Sequence, residues 1–478
     1  MPAKAFTAIF GLLFILALGA CRSAPPDTAS PTPLAAATPT RVPLTPTPTV
    51  ATCADLDANW GHNWPAVLET LAQLIALDQS CGAEPLLSKK YAAHFIYAVS
   101  LEENGELEPA IAQYQAALAL DPQRQEALKA LVRLQALPKP TPPACLSTAP
   151  ARPDPAVAVT PEPGQLVTVQ NGQLQLNGQP FKVRGVNYYP RQAPWQQFLT
   201  EADPAAMAAE LDLIEQAGFN TLRIFLWYQP LFTCQPEDAI PNEAAFARLD
   251  ALLELARERD LKLIVTLNDL PDLTFRPLYT DYAHYDNQTV YIVRRYRHDP
   301  NILAWDVRNE GDLDYGAESK DEARFTQAEV MDWVGHVSQL IRDNDPHHLV
   351  TAGWWGDPRP TGPYVDFLSF HHWTETGQLQ RRLNEYRRAS AKPLLLGEIG
   401  YDTLAASAKE QRDKEQQVGD TLGHALRLVE AQELAGWVIW TAFDFVPASG
   451  QPENREHFFG LWRTDLSPKP ALRALPLP

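Results

Sequence analysis

The sequence predicts an α/β fold, a (β/α)8 barrel, preceded by a small all-α helical domain. From Leu166 onward, eight short apolar runs alternate with amphipathic helical stretches, as parallel strands joined by crossover helices require. Ahead of them, residues 53–137 carry apolar residues at helical spacing. An open doubly wound sheet is the rival architecture, but no Gly-rich phosphate loop follows the first run.

The eight apolar runs are the predicted barrel strands. They span residues 181–186, 221–227, 262–267, 302–307, 348–352, 367–370, 393–396 and 436–440. Helical stretches fall between them at 204–216, 243–259, 289–297, 327–342 and 410–432. A shorter segment, 166–177, has a turn signal at Asn171-Gly172, and we expect it to form a hairpin that plugs the bottom of the barrel.

The N-terminus has the features of an export signal. Lys4 precedes an apolar run, Ala8 to Cys21, that is too short to span a bilayer. Leu18-Gly19-Ala20-Cys21 resembles the lipobox of bacterial lipoproteins, which implies that residues 1–20 are removed, that Cys21 carries a lipid, and that the protein is anchored on the extracytoplasmic side. An ordinary signal peptide and a secreted protein are the alternative.

Pro-rich segments and cysteines set the expected domain organisation. Residues 21–52 predict an extended tether and 138–164 a linker, so that a helical domain at 53–137 precedes a catalytic barrel at 165–478. Cys53, Cys81, Cys145 and Cys234 remain after processing. Three disulfide pairings are open in an oxidising compartment, and we favour Cys53 with Cys81.

The helical domain predicts four helices, at 64–77, 86–102, 107–120 and 123–137. Residues 91–124 resemble a single tetratricopeptide repeat. The matching small, aromatic and proline positions are Ala98, Ala110, Tyr114, Ala117 and Pro122. A groove for a protein partner is one interpretation, but a lone repeat has no neighbours to cover its faces, so a helical spacer is favoured.

Two glutamates close apolar runs where barrel enzymes place their reactive groups, at the C-terminal ends of strands. Glu310 follows the fourth run and Glu398 the seventh. Carboxyl groups on these two strands can face each other across the mouth of the ring. Glycoside cleavage needs such a pair, one to protonate the leaving oxygen and one to attack the sugar carbon.

With these motifs, residues 166–478 resemble clan A glycoside hydrolases, most closely family 5. The resemblance implies that Glu310 is the acid/base, that Glu398 is the nucleophile and that Asn309 binds the sugar 2-hydroxyl. It further implies that Arg223 hydrogen-bonds the nucleophile. His371 and Trp440 match the family's strand-six histidine and the strand-eight tryptophan beneath the reacting sugar.

The sequence also departs from the family pattern. Gly311 stands where proline often follows the Asn-Glu pair, and Trp373 stands in the region where a tyrosine commonly approaches the nucleophile. Asn268-Asp269 replaces a common histidine after the third strand, and we assign both residues to substrate binding. We also expect Trp354 and Trp355, directly after the fifth run, to line the cleft as sugar-stacking platforms. Other aromatic residues near strand ends, which suit the cleft and the core equally, are Tyr188, Tyr189, Trp227 and Tyr228.

The sequence thus predicts a retaining glycoside hydrolase of a β-linked polysaccharide or oligosaccharide. The formal charge of −18 argues against a nucleic-acid partner, and no cofactor or spaced metal-ligand motif is predicted. A transglycosylase on the same barrel and a non-catalytic glycan-binding or scaffold lipoprotein are the alternatives. Specificity depends on loop shape, so the sugar, the linkage and the choice between endo and exo action stay open.

Overall fold

The computed structural model describes residues 51–134 and 155–478, apart from gaps at 83–84, 104–105, 123, 235–239, 270, 272–277, 280–281, 316–324, 433 and 448–452. The expected signal peptide, Cys21, most of the tether and linker, and Cys145 lie outside the described residues. None of the described helices is both long and apolar enough to cross a bilayer.

The described strands are β1 (Val167–Gln170), β2 (Gln173–Leu176), β3 (Gln179–Pro180), β4 (Val183–Asn187), β5 (Thr221–Phe225), β6 (Phe232–Cys234), β7 (Ile240–Pro241), β8 (Lys262–Thr266), β9 (Ile302–Asn309), β10 (Leu349–Trp354), β11 (Leu368–His372), β12 (Leu394–Ile399) and β13 (Gly436–Ile439). The described α-helices are α1 (Cys53–Asn59), α2 (Trp64–Ala76), α3 (Leu86–Glu103), α4 (Leu107–Leu120), α5 (Gln125–Arg133), α6 (Gln197–Glu201), α7 (Pro204–Gln216), α8 (Tyr228–Leu231), α9 (Glu243–Glu258), α10 (Ala283–Tyr296), α11 (Gln327–Asn344), α12 (Thr376–Ala389), α13 (Ala408–Glu430) and α14 (Pro470–Ala474).

Eight parallel strands close the predicted barrel. They follow the order β4, β5, β8, β9, β10, β11, β12, β13 and return to β4. Helices cross between successive strands, except that residues 355–367, between β10 and β11, contain only a short 3-10 turn at Arg359–Thr361. The (β/α)8 prediction is therefore confirmed, with one crossover shorter than the pattern.

The predicted hairpin is confirmed as β1 and β2, which pair antiparallel. Both turn residues, Asn171 and Gly172, have positive φ, 52° and 72°, as a tight hairpin turn of this twist requires. Val167 and Leu174 are buried in one cluster with side chains from the interior of the barrel, such as Val183 and Leu395. The hairpin therefore plugs the end of the barrel opposite the strand C-termini.

The helical segment contains five described helices instead of four, because the short α1 precedes the predicted set. Helices α3 and α4 pack together through Ala98, Ala110 and Tyr114, which are fully or almost fully buried. Cys53 and Cys81 form a disulfide, which confirms the favoured pairing.

Candidate active site

A cavity opens at the C-terminal ends of the barrel strands. Both predicted glutamates, Glu310 and Glu398, contribute to its wall. The other predicted site residues in the wall are Asn309, Asp269, Trp355, Trp373 and Trp440.

The two glutamates come from barrel strands that are separated by two others, β10 and β11. Glu398 lies within β12, and Glu310 directly follows β9. The Glu398 side chain is 4% exposed and that of Glu310 is 21% exposed. One oxygen of each carboxylate, together with a nitrogen of His371, lies in a group whose atoms are all within 4.8 Å of one another.

Arg223, on β5, connects most of the site. Its side chain is 1% exposed, and its Nη1 donates a short hydrogen bond to Glu398 Oε1. Its Nε and Nη2 donate to Asp306 Oδ2 at 2.9 and 2.7 Å, and Nη2 also donates to Asn309 Oδ1 at 2.9 Å. The guanidinium therefore fixes Glu398 and also Asn309, the residue before Glu310.

The two glutamates share an electrostatic environment. Burial and the nearby charge of Glu310 raise the pKa of Glu398 well above its usual value, although Arg223 opposes this shift. Burial also acts to raise the pKa of Glu310, but hydrogen bonds from His371 and Trp373 lower it below the usual value. Because the two carboxyls repel each other's charge, the pair as a whole retains one proton to higher pH than an isolated glutamate.

His371 closes β11 and contacts both carboxylates. Its Nδ1 lies 2.7 Å from Glu310 Oε1 and 3.5 Å from Glu398 Oε2. Burial lowers the pKa of His371, which favours the neutral ring. Nε2 is buried without a hydrogen-bond partner among the described residues. An unpaired lone pair costs less there than an unpaired N–H, so we assign the proton to Nδ1, which donates to Glu310.

Some of the aromatic residues predicted for the cleft line the cavity, and others do not. Trp355, Trp373 and Trp440 line the cavity. Trp373 Nε1 donates to Glu310 Oε1 at 3.2 Å. This tryptophan therefore contacts the predicted acid/base, whereas the family's tyrosine commonly approaches the nucleophile. In the described part of the chain, no hydrogen bond from a tyrosine reaches Glu398.

The prediction for Trp354 is wrong. Trp354 is fully buried, and its indole Nε1 donates to the Tyr315 hydroxyl at 3.2 Å. Side chains alternate between the two faces of a strand, and the neighbouring Gly353 faces Arg223 and His371. Trp354 therefore points outward into the surrounding packing. Tyr188, Tyr189 and Tyr228 are likewise buried and absent from the cavity wall.

Trp354 also explains the glycine that follows Glu310. A Cβ at Gly311 would lie 2.8 Å from both Arg308 Cγ and Trp354 Cη2. The backbone of Glu310 itself is left-handed, with φ of 53°. Packing beneath this turn thus favours glycine where relatives often have proline.

Asn268 and Asp269 differ in position. Asn268 is buried, donates through Nδ2 to the carbonyl of Val307 at 3.3 Å, and is absent from the cavity wall. Its amide therefore fixes the neighbouring strand, and its contact with substrate stays a prediction. Asp269 lies in the wall, and its Oδ1 accepts from Asn309 Nδ2 at 2.9 Å.

Several residues of the site were not predicted from the sequence. Asp306 orients Arg223, and a charged residue inside the otherwise apolar fourth run was the available signal. Asn187, which accepts from Arg223 Nη1 at 3.2 Å, directly follows the first predicted run. Other residues of the wall come from loops and helices that carry no motif; they include Trp195, Tyr401, Asp402, Lys414, Arg455, Glu456 and Phe459.

Among the described residues, Glu310, His371 and Glu398 form one group close enough to hold a cation. These residues lie on or directly after separate strands, far apart in sequence, so their spacing along the chain did not indicate the group. The positive charge of Arg223 already lies against Glu398, and a cation between the carboxylates would compete with this arginine. The groups fit acid–base chemistry better than metal binding.

The barrel and the paired glutamates at its mouth define the class of protein, a glycosidase. Residues 174–445 match the cellulase family, glycosyl hydrolase family 5. The chain therefore belongs to glycosyl hydrolase family 5, within the clan A glycoside hydrolases, and acts on β-glycans.

Known proteins with related sequences support this assignment. The probable mannan endo-1,4-beta-mannosidase C of Aspergillus terreus (strain NIH 2624 / FGSC A1156) is 25% identical over 339 residues, covering 58% of this chain and 80% of that protein. The mannan endo-1,4-beta-mannosidase A of Podospora anserina is 26% identical over 292 residues, covering 49% and 74%. The solved exo-beta-1,4-mannosidase Op5Man5 from Opitutaceae bacterium strain TAV5 is similar in fold, with a TM-score of 0.50 and 21% identity over 62% of this chain and 58% of that one.

Proposed function

We propose that the protein is a retaining β-glycoside hydrolase in which Glu310 is the acid/base and Glu398 the nucleophile. The observation that carries the proposal is that oxygens of the two carboxylates lie within 4.8 Å of each other. Retaining enzymes hold their carboxyls about 5 to 5.5 Å apart, whereas inverting enzymes need about 6.5 to 9.5 Å to admit a water. The short separation therefore favours direct attack by a carboxylate.

In the first step, the Glu310 proton passes to the glycosidic oxygen as the bond from that oxygen to the anomeric carbon breaks. Glu398 forms a bond to the same carbon, which gives a covalent glycosyl-enzyme. In the second step, ionised Glu310 takes a proton from water, the water oxygen bonds to the anomeric carbon, and Glu398 leaves. Two inversions give net retention.

These roles require the shared proton to reside on Glu310 when substrate is bound. Glu310 is the more exposed of the two side chains, so an arriving sugar removes more water from it than from Glu398. Loss of water raises a carboxyl pKa, while the Arg223 contact continues to favour ionised Glu398. Substrate binding itself thus moves the proton toward Glu310.

The substrate that we propose first is a β-1,4-linked mannan. Two relatives that match about half or more of this chain are named as mannan endo-1,4-beta-mannosidases. The barrel also offers Trp355, Trp373 and Trp440 as flat surfaces for sugar rings. A panel of β-mannans, β-glucans and microbial polysaccharides, scored by released reducing ends, tests the substrate separately from the mechanism.

The stereochemical course tests the mechanism. Proton NMR of the first product from a β-linked substrate should show the β-anomer before mutarotation, and an initial α-anomer would overturn the proposal. With an activated substrate, azide should rescue Glu310→Ala to give a β-glycosyl azide. Glu398→Ala should form no covalent intermediate, and azide should then give the α-product.

A further inference from the structure

Asp269 is a buried carboxylate in the wall of the active-site cavity. It follows β8 and is 5% exposed. It shares the wall with Glu310, Glu398 and Asn309. Asn309, the residue before Glu310, contacts the Asp269 carboxylate directly, so Asp269 lies beside the reacting position.

A chain of hydrogen bonds fixes the Asp269 carboxylate. Trp227 Nε1 donates to the Tyr189 hydroxyl at 2.7 Å, and that hydroxyl donates to Asp269 Oδ2 at 2.6 Å. On the other side, Asn309 Nδ2 donates to Asp269 Oδ1 at 2.9 Å. The carboxylate is therefore held between Tyr189 and the residue that precedes Glu310.

The contacts of Asp269 leave it able to accept more hydrogen bonds. An ionised carboxylate has about four acceptor positions and no donor, and the side-chain contacts just described use two of them. A sugar hydroxyl can donate to a remaining position. A sugar carboxylate cannot donate, and its charge would be repelled at short range in a site shielded from water.

The rest of the cavity reinforces this selectivity. Its acidic lining residues are Asp269, Glu310, Glu375, Glu398, Asp402 and Glu456, whereas its basic ones are Lys414 and Arg455. Lys414 already pairs with Asp402 at 2.8 Å, and Arg455 lies 3.7 Å from the same carboxylate. A negatively charged sugar therefore meets a surplus of like charge.

We infer that Asp269 determines the specificity of the reacting-sugar position: it accepts a hydrogen bond from a hydroxyl of an uncharged sugar and excludes a sugar that carries a carboxylate. This inference rests on the proposed glycosidase function and narrows its substrate to neutral glycans. Asp269 touches the substrate, whereas Tyr189 and Trp227 are positioning residues that act through it.

Hydrolysis provides the first test, at the highest pH at which wild type still cleaves the neutral substrate, because burial raises the pKa of Asp269 above its ordinary value. The wild-type protein should cleave a neutral β-glycoside at least about 10-fold faster, in kcat/KM, than the same glycoside oxidised to the C6 uronate. Asp269→Asn should lower kcat/KM for the neutral substrate by about 10- to 100-fold, the effect of losing a hydrogen bond to a charged group. It should also reduce the preference for the neutral substrate by at least about threefold, because the charge of Asp269 is gone while the other acidic residues of the wall remain.

The matched control is Asp312→Asn. Asp312 is another carboxylate near Glu310, but it accepts from the backbone N–H groups of Trp355 and Gly356 and is absent from the cavity wall. This variant removes a charge that lies outside the wall. Any shift of the wall residue Trp355, whose backbone Asp312 holds, acts on both substrates alike, so the preference should stay as in wild type. Equal effects of the two variants would overturn the role of Asp269.

Equilibrium binding separates the inference from catalysis. Calorimetry with an iminosugar analogue of the reacting sugar and its C6-carboxylate counterpart should show the same preference in wild type and a preference at least about threefold smaller in Asp269→Asn. If wild type binds both equally, prefers the carboxylate, or binds neither, the inference fails. If hydrolysis fails on every glycan while the binding preference follows Asp269, the proposed function fails and the inference stands.

Tyr189→Phe tests positioning. Phenylalanine keeps the ring but removes the hydroxyl that donates to Asp269. The charge of Asp269 remains, so the preference for the neutral sugar should be retained, while kcat/KM falls by about 10-fold because Asp269 is less fixed. Loss of the preference in this variant would show that the charge of Asp269 is not what selects the sugar.

Discussion

At the scale of single residues, the site is organised around the charge of one arginine. Arg223 is shared between Asp306 and Glu398, and it also orients Asn309. Arg223, Asp306 and Glu398 are buried, which makes each of these charges more effective than it would be in water. The ionisation of Glu398 is therefore set by neighbours on other strands.

Replacing Arg223 with methionine removes the cation beside Glu398. The pKa of Glu398, already raised by burial, should then rise further, because the cation that favours the ionised form is gone. We expect kcat/KM to fall by at least about 10²-fold and the acid limb of the pH–rate profile to move to higher pH. Arg223→Lys, which keeps the charge, is the control, and an unchanged profile in Arg223→Met would remove this residue from the site.

Replacing Asp306 with asparagine should shift the acid limb in the opposite direction. Without the charge of Asp306, the whole positive charge of Arg223 acts on Glu398 and favours its ionised form. The activity should fall, because Gly353 N–H and Thr266 Oγ also donate to this carboxylate. Thermal unfolding checks that the variant is folded, and an acid limb at higher pH than in wild type would contradict the shared-charge account.

At the scale of elements, the barrel separates stability from chemistry. The mouth carries the cavity, whereas the β1–β2 hairpin covers the opposite end with Val167 and Leu174. The strands between them are buried on nearly every residue. A change at the plug should therefore reach the site only through loss of folding.

Leu174→Ala tests this separation. The Leu174 side chain is 1% exposed, and its truncation leaves a cavity that should lower the free energy of unfolding by about 2–4 kcal/mol. At temperatures where the variant is folded, kcat/KM should stay within about twofold of wild type, since the cavity wall is untouched. Denaturant unfolding and initial rates measure the two quantities, and a large loss of rate in folded protein would show that the plug shapes the site.

At the scale of the whole molecule, the expected lipid anchor would place a β-glycan hydrolase outside the cell, where polysaccharides are found. An oxidising compartment would preserve the disulfide between Cys53 and Cys81, and export stays a prediction. The tetratricopeptide resemblance, the domain boundaries and the anchor stay predictions. The helical segment has a covered core of its own, which suits either a spacer or a partner-binding module.

Cys21→Ser tests the anchor, because acylation requires the thiol. Wild-type protein purified from membranes should carry acyl mass at its mature N-terminus, whereas the variant should lack it and be found in the soluble fraction. The hydrolytic rate of the purified variant should match that of wild type and serves as its control. Absence of acyl mass in the wild type would leave an ordinary signal peptide as the explanation.

The sequence by itself determined the architecture and the central pair of residues. Strand and helix periods differ, so alternating apolar runs and amphipathic stretches specified the eight β/α units, and Asn171-Gly172 specified the hairpin turn. Glu310 and Glu398 were recognisable because each closes an apolar run, a position that depends only on local order along the chain.

Only the tertiary structure decided which side chains share the cavity. Trp354 and Trp355 are adjacent in sequence, yet the first is fully buried behind Gly353 and the second lines the wall. Asp306 owes its role to Arg223, which lies 83 residues away in sequence. Asp269 owes its role to Tyr189 and Asn309, which lie 80 and 40 residues away. Barrel closure brings such residues together, and because the direction of each side chain and the shape of each loop depend on that closure, no local pattern encodes them.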